Sequence, residues 1–253
     1  MTAFNFGVGT VIGRRTDISN PTPLAFGVLQ DISIEVDQGL KELVGQYKMP
    51  VDIAPATLKI TGKAKQARMQ ANLFNDLILG GTITSASGIA MSTAEAHSVP
   101  GSSTYTITAT QAVTFKEDLG VFYTATGVQL TRVAASSEAL GKYSVNEATG
   151  VYTFAPADAS AAVLIYYSYG VTTKNQIALS NQLMGSGPVF EINLSESYTN
   201  NAGVTSTVFM KLNACRSSKL SMPFKNTDYT LTEIDFQAFA DTAGNWGTWA
   251  FSE

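Results

Sequence analysis

Alternation of apolar and polar residues along most of the chain predicts a protein that is built mainly from β-strands. In the segment 58–65, apolar or small residues fall on even positions and polar residues on odd positions. This period is typical of a strand with one face buried and one face in water. Similar patterns predict further strands at 26–36, 190–195, 208–214, 220–224, 234–238 and 245–251.

One helix is predicted at about 66–79, directly after the strand 58–65. Apolar residues there recur at helical spacing, and Gly80 with Gly81 ends the element because glycine adopts the left-handed conformation at a helix C-terminus at little cost. A single amphipathic helix needs an apolar surface to pack on, and a sheet is the only candidate. We therefore expect burial of the residues Met69, Leu73, Phe74 and Leu77.

Two stretches lack a clear period. Residues 1–25 predict an extended arm, and residues 37–57 predict a long loop that is interrupted by Gly45, Pro50 and Pro55. Loops of this length in compact domains are usually functional or bound to a partner. We therefore expect the arm to be flexible or bound to a partner, and the loop to be functional or bound to a partner.

The composition changes between about 82 and 172, where Ser, Thr, Ala and Gly become frequent and short strands alternate with turns. Residues 146–150 have the sequence of a hairpin loop. This pattern is typical of a small all-β, immunoglobulin-like module. We predict that residues 91–171 form such a module, inserted into a first domain made of 1–90 and 172–253.

The composition restricts the possible functions. Only 14% of the 253 residues are charged, which suits repeated contact between copies of the chain, and the formal net charge of −4 argues against DNA binding by neutralisation of phosphates. A single cysteine excludes an internal disulfide. No apolar run approaches the roughly 20 residues that span a bilayer, and residues 1–6 do not resemble a signal peptide. We expect synthesis and folding in a cytosol.

Neither the single histidine nor the single cysteine predicts catalysis. His97 lies in a low-complexity stretch without a nucleophile motif, so we expect a solvated loop position. Cys215 lies one position off the apolar face of its strand, and we expect an inert thiol. One His and one Cys also exclude a zinc site built from these residue types.

Acidic residues give two weak candidates for a calcium site. Glu117 and Asp118 are adjacent, and Glu35 and Asp37 are two positions apart. Solvated strand and loop positions explain both pairs better. We therefore expect no metal site.

Three short motifs are better explained by structure than by function. In Gly7–Gly13, the third glycine is one residue late for a dinucleotide loop and no strand precedes it. Gly185–Pro188 is a turn before a strand, and Asn193–Ser195 matches a glycosylation sequon by chance. The sequence therefore predicts no catalytic residue and no cofactor, and we expect a protein that is not an enzyme.

Several segments, taken in order, form a recognisable pattern, and they are Gly27–Asp31, Lys41–Leu43, Gly45–Tyr47, Lys59–Lys65, Leu73–Asn75, Asn181–Gly185 and Phe236–Ala240. In this order the chain resembles the major tail proteins, or tail tube proteins, of tailed bacteriophages. The resemblance covers about 1–90 and 172–253, and residues 117–121 and 163–165 are similar to an insertion found in some of these proteins.

The resemblance implies a tail-tube β-sandwich or barrel with one flanking helix. It implies homohexameric rings that stack head to tail into a hollow tube, through which DNA passes without sequence-specific binding. The implied partners are other copies, the tape-measure protein and the tail-terminator or tip proteins, and the implied location is the virion tail, assembled in the host cytoplasm. Two alternatives remain: a capsid decoration or fibre protein, and the tube subunit of a contractile injection system.

Overall fold

The chain divides into two units, and the computed structural model describes residues 7–199 and 203–252. Unit 1 combines residues 1–83 with 177–253, and unit 2 is the intervening segment 84–176. The expected module 91–171 lies within unit 2, and its first boundary falls inside a strand. Strands make up 54% of the structure and helices 6%, which confirms the mainly β class.

Seventeen strands occupy the described residues. In chain order they are β1 (Thr10–Arg15), β2 (Leu24–Ala25), β3 (Leu29–Val44), β4 (Pro50–Gln66), β5 (Thr82–Thr84), β6 (Gly88–Ser98), β7 (Thr106–Thr108), β8 (Phe115–Tyr123), β9 (Thr131–Arg132), β10 (Lys142–Asn146), β11 (Val151–Phe154), β12 (Ala162–Val171), β13 (Gln176–Ala178), β14 (Phe190–Thr199), β15 (Thr205–Ser221), β16 (Thr232–Ala238) and β17 (Gly247–Phe251).

Unit 1 is organised on one eight-stranded sheet. Its strand order is β2-β1-β14-β15-β16-β4-β3, and β17 pairs with β15 beside this path. The segment 10–15 forms β1, antiparallel to β14. The prediction of an extended arm over 1–25 is therefore wrong for residues 10–15, which belong to the sheet, and residues 1–6 lie outside the described part of the chain.

The predicted loop at 37–57 is also wrong, because this segment is a hairpin. Strand β3 continues to Val44 and β4 begins at Pro50, so Gly45 and Pro50 lie at the turn between them, whereas Pro55 lies within β4. Pro55 is opposite Leu40, next to a register shift between Gln38 and Leu40. Such irregularities tolerate proline, which cannot donate a backbone hydrogen bond.

The helix is shorter than predicted. It starts as an α-helix over Ala71–Phe74, labelled α1, and continues as a π-helix over Asn75–Leu79. The predicted start near 66 is wrong, because Gln66 still belongs to β4 and pairs with Thr232 of β16. Gly80 ends the helix as predicted, with a left-handed φ of 59°.

The helix packs its apolar residues into the core of unit 1. Leu73, Phe74 and Leu77 are buried there, as predicted. Met69 precedes the helix and is 45% exposed, so its predicted burial is wrong. The sheet supplies the rest of this core through the buried residues Val11, Ile60, Ala64, Phe190, Ile192, Met210, Leu212, Cys215, Ile234 and Phe236.

Strand β15 replaces two predicted strands. The segments predicted at 208–214 and 220–224 belong to one strand that ends at Ser221, and Met222 and Phe224 lie beyond it with exposed side chains. Residues 200–202, between β14 and β15, lie outside the described part of the chain.

Unit 2 is a sandwich of two sheets around its own core. One sheet has the order β7-β11-β10-β9 and the other β6-β12-β8. The rings of Phe115 and Tyr152, one from each sheet, meet edge to face at 6.1 Å. The hairpin loop predicted at 146–150 is confirmed, since the Gly150 N–H donates to the Asn146 carbonyl.

Candidate functional site

A two-stranded hairpin projects from the sheet of unit 1. Strand β4 loses its second neighbour, β16, at Ile60, so within residues 7–199 and 203–252 the segments 37–44 and 50–59 pair only with each other. At roughly 3.3 Å per residue, this ribbon extends about 25 Å beyond the sheet. We call residues 37–59 the projecting hairpin.

The projecting hairpin exposes large apolar side chains. All of its residues are exposed except Gly39 and Pro50, which are half-buried. Its apolar side chains are between 47% and 77% exposed, and they are Leu40, Leu43, Val44, Tyr47, Met49, Val51, Ile53 and Leu58. Soluble monomers rarely expose contiguous apolar surface of this extent.

Other segments of unit 1 add to the exposed apolar surface, namely Leu183, Met184, Phe224 and Tyr229 in loops and Trp249 and Phe251 on the edge strand β17. In the described part of unit 2, exposed large apolar side chains are fewer, and they are Ile89, Met91, Val113, Leu119, Val128 and Leu140. Apolar surface is therefore concentrated on unit 1.

A set of charged side chains lies on the outer face of strands β3, β4, β16 and β15. We call this set the charged face. Lysines and carboxylates alternate across the strands, because Lys65 pairs in register with both Asp31 and Glu233, and Asp235 pairs with both Lys63 and Lys219. Opposite charges directly across a strand pair stabilise a sheet. The three lysines and three carboxylates give the charged face no net charge.

Glu233 is at the centre of the charged face. Its carboxylate lies 3.2 Å from Lys63 Nζ, 3.5 Å from Lys219 Nζ and 3.9 Å from Lys65 Nζ. Burial raises the pKa of Glu233, but the hydrogen bonds and charges of Lys63 and Lys219 outweigh burial and lower the pKa overall. The hydrogen bond from Lys63 to Glu233 in turn raises the pKa of Lys63. Both groups are therefore charged at neutral pH.

His97 lies in strand β6, and the prediction of a solvated loop position is wrong. Its Nε2 is 2.6 Å from the Glu95 carboxylate, which also accepts hydrogen bonds from the hydroxyls of Tyr167, Thr110 and Ser92. In this arrangement the serine and the histidine both contact the carboxylate, whereas a catalytic triad requires contact between serine and histidine. The cluster therefore joins strands of unit 2 and has no geometry for nucleophilic catalysis.

The side chain of Asp118 is only 3% exposed, so its predicted solvated position is also wrong. Its carboxylate accepts hydrogen bonds from Tyr143 at 2.7 Å and from Tyr152 at 3.0 Å. Burial, with the nearby carboxylate, raises the pKa of both tyrosines. Glu117, the neighbouring acid, is exposed and points away from this cluster, as alternation along β8 requires. The pair therefore does not converge on a metal.

Cys215 is fully buried in the core of unit 1, and the predicted position off the apolar face is wrong. The register between β14 and β15 shifts between Phe190 and Ile192, which turns Cys215 inward opposite Phe190. Burial raises the pKa of the thiol to about 12. The thiol is therefore protonated and has no role as a nucleophile at neutral pH.

A groove of about 680 Å³ lies on unit 1 between the ends of β1 and β16. Its three carboxylates already have partners within the unit: Asp17 binds Arg15, Glu191 binds Arg14 and Lys211, and Asp241 accepts from Asn213. These pairs explain the charged residues of the groove without a ligand.

The remaining candidates do not form a site. Glu35 and Asp37 are exposed on β3, opposite Thr61 and Lys59. Gly185–Pro188 precedes β14 as a turn, and Asn193 lies within β14. Among residues 7–199 and 203–252, no three His, Cys, Asp or Glu side chains group as a metal site. No helix in the same ranges has the length and apolar character needed to cross a membrane.

The sequence predicted partner contacts for residues 37–57 but assigned a loop there, so it missed the hairpin and the charged face beside it. The mixture of apolar residues, proline and glycine over 37–57 indicated an unusual segment, although the pattern favoured a loop and not a hairpin. A scan against protein-family models finds no match, and a search of curated proteins finds no significantly similar sequence.

Proposed function

We propose that the chain is a structural subunit that assembles with copies of itself, as the tail tube protein of a tailed bacteriophage does. The projecting hairpin carries this proposal. An isolated two-stranded ribbon is at best marginally stable in water, and this one exposes apolar side chains along its length. Contact with a second copy buries those side chains and supports the ribbon.

Open sheet edges provide a second means of association. Strands β2 and β3 end the strand path of unit 1, and β17 has one neighbour, β15. Unpaired strand edges readily pair with another chain. When one edge of a subunit pairs with a different edge of the next, the contact is head to tail and builds rings or filaments. We propose that the rings are hexameric and stack into a tube.

In such a tube, the charged face lines the channel. It lies on the side of the sheet opposite the core, and its charges are balanced. A channel lined by unpaired lysines would bind DNA phosphates, whereas balanced charge lets DNA pass. On this proposal the protein belongs to the virion tail, and its further partners are the tape-measure, tail-terminator and tip proteins.

The test compares two triple variants of the full chain. One variant, Leu43→Ser with Tyr47→Ser and Met49→Ser, removes apolar side chains from the projecting hairpin. The matched control, Val113→Ser with Val128→Ser and Leu140→Ser, removes exposed apolar side chains from unit 2. Light scattering after gel filtration and negative-stain electron microscopy measure assembly.

We expect rings or tubes from the unaltered chain and from the control, and monomers from the hairpin variant. A chain that stays monomeric at all concentrations, even with tail partners present, would refute the proposal. A closed oligomer that never lengthens would instead favour a capsid decoration or fibre protein.

A further inference from the structure

Three lysines of the charged face share one carboxylate. Lys63, Lys65 and Lys219 all lie within 4 Å of Glu233, and their side chains are 37% to 55% exposed. Asp235 provides a second contact to Lys63 at 4.0 Å and to Lys219 at 3.9 Å. Asp31 provides one to Lys65 at 3.6 Å. Each ammonium group of the cluster is therefore close to two carboxylates.

Without these carboxylates, the same lysines would form a site for phosphate. Three ammonium groups would face solvent around one point, and a protein that neutralises phosphates with lysines gains affinity for DNA through the release of counterions. With the carboxylates present, a phosphate must compete with carboxylates that are already in place. It would also meet their negative charge.

The lysines cannot simply be absent, because the sheet needs them. Lys65 lies in register between Asp31 of β3 and Glu233 of β16, and Lys63 lies opposite Asp235 of β16. Opposite charges directly across a strand pair stabilise the sheet, and without Lys65 the carboxylates of Asp31 and Glu233 would lose the cation between them. The lysines of the charged face therefore stabilise the sheet. Their carboxylate partners keep the same lysines from binding DNA phosphates.

We propose that Glu233 and Asp235 mask these lysines, so that duplex DNA moves along the charged face without being retained. The position of the face in a DNA channel rests on the proposed function. The masking itself is a property of the single chain and is tested without assembly.

The experiment measures binding of a fluorescently labelled DNA duplex to the full chain by anisotropy, at several salt concentrations. The test variant is Glu233→Gln with Asp235→Asn. The control, Glu117→Gln with Asp228→Asn, makes the same change in net charge at exposed acids elsewhere. We expect at least about tenfold tighter binding for the test variant only, with a slope of log K against log salt near −2.7 for about three phosphates.

Two further variants make the result specific. Adding Lys63→Gln and Lys219→Gln to the test variant should abolish the gained binding. Glu233→Gln alone should give a smaller gain, and it replaces the double variant if thermal melting shows that the latter does not fold. No gain in a folded variant, or an equal gain in the control, would overturn the masking. Absence of tubes from the unaltered chain would refute the proposed function and leave the masking result intact.

Discussion

Replacement of Leu73 by alanine tests how the helix is held against the sheet. Leu73 is 0% exposed and lies in the core cluster with Leu77 and Phe236. The change removes three carbon groups, worth about 2.4 kcal/mol of transfer free energy at about 0.8 kcal/mol each. With the cavity left behind, the expected loss in the free energy of unfolding is about 2–5 kcal/mol.

Urea unfolding followed by tryptophan fluorescence measures this loss in unit 1 alone. Both tryptophans of the chain, Trp246 and Trp249, lie in unit 1. With a slope of about 2–3 kcal/mol per molar urea, the midpoint should fall by about 1–2 M. The matched control is Met69→Ala, because Met69 is 45% exposed, and its effect should stay within about 0.5 kcal/mol.

An unchanged midpoint for Leu73→Ala would refute the packing of this helix. An equal loss for Met69→Ala would show that the segment before the helix is also buried. If the helix also sets the angle between neighbouring subunits, Leu73→Ala should reduce the yield of tubes at a temperature where the subunit remains folded.

Three further predictions concern buried groups. Gly62→Ala places a methyl group into the ring of Phe236 and should destabilise unit 1 by about 1–3 kcal/mol in the same urea assay. Gly127→Ala strains the backbone of unit 2, because Gly127 has a φ of +68°, and should leave the fluorescence midpoint of unit 1 unchanged. Burial raises the pKa of Glu95, but hydrogen bonds from Tyr167, His97 and Thr110 lower it overall from 4.5 to about 2. The melting temperature of unit 2 should therefore fall as pH drops from about 4.5 toward 2, and less so in Glu95→Gln. Cys215, with a thiol pKa of about 12, should react with a thiol reagent at pH 8 only after unfolding.

Local periodicity predicted the parts of the fold that have one buried face. Strand β16 alternates between buried and more exposed residues, and the helix presents Leu73 and Leu77 to the sheet. In each case the spacing of apolar residues along the element shows which of its faces is buried. Such elements are readable from a single sequence because the required information is local.

Bulges limit this kind of prediction. Alternation assigns Cys215 to the outer face of β15, because it counts from Leu212 without interruption. The register shift opposite Phe190 and Ile192 inserts an extra residue and reverses the assignment. One extra residue in a strand moves every later side chain to the other face of the sheet. The residues around Cys215 do not indicate where this bulge lies.

Buried polar groups were missed for a different reason. The partner of Glu95 that is most distant in sequence, Tyr167, lies 72 residues away. Asp118 meets Tyr143 and Tyr152 from a different sheet of unit 2. A carboxylate is stable in a core only with such hydrogen-bond donors. Because these donors are distant in the sequence, the local pattern around the carboxylate predicts a solvent-exposed position.

The projecting hairpin was predicted as a loop because neither of its faces is covered by the described residues of the chain. Alternation arises when one face of a strand meets a core and the other meets water. A ribbon that will be covered on both faces by other molecules has no reason to alternate, so apolar residues such as Leu43, Val51 and Ile53 fall on both faces and the pattern resembles a loop. The lack of alternation between apolar and polar residues along a fully paired ribbon therefore supports assembly.

If the projecting hairpin instead stays in solvent, its amide hydrogens should exchange rapidly at every protein concentration. Slow exchange that begins only where light scattering detects oligomers would show that other copies cover it.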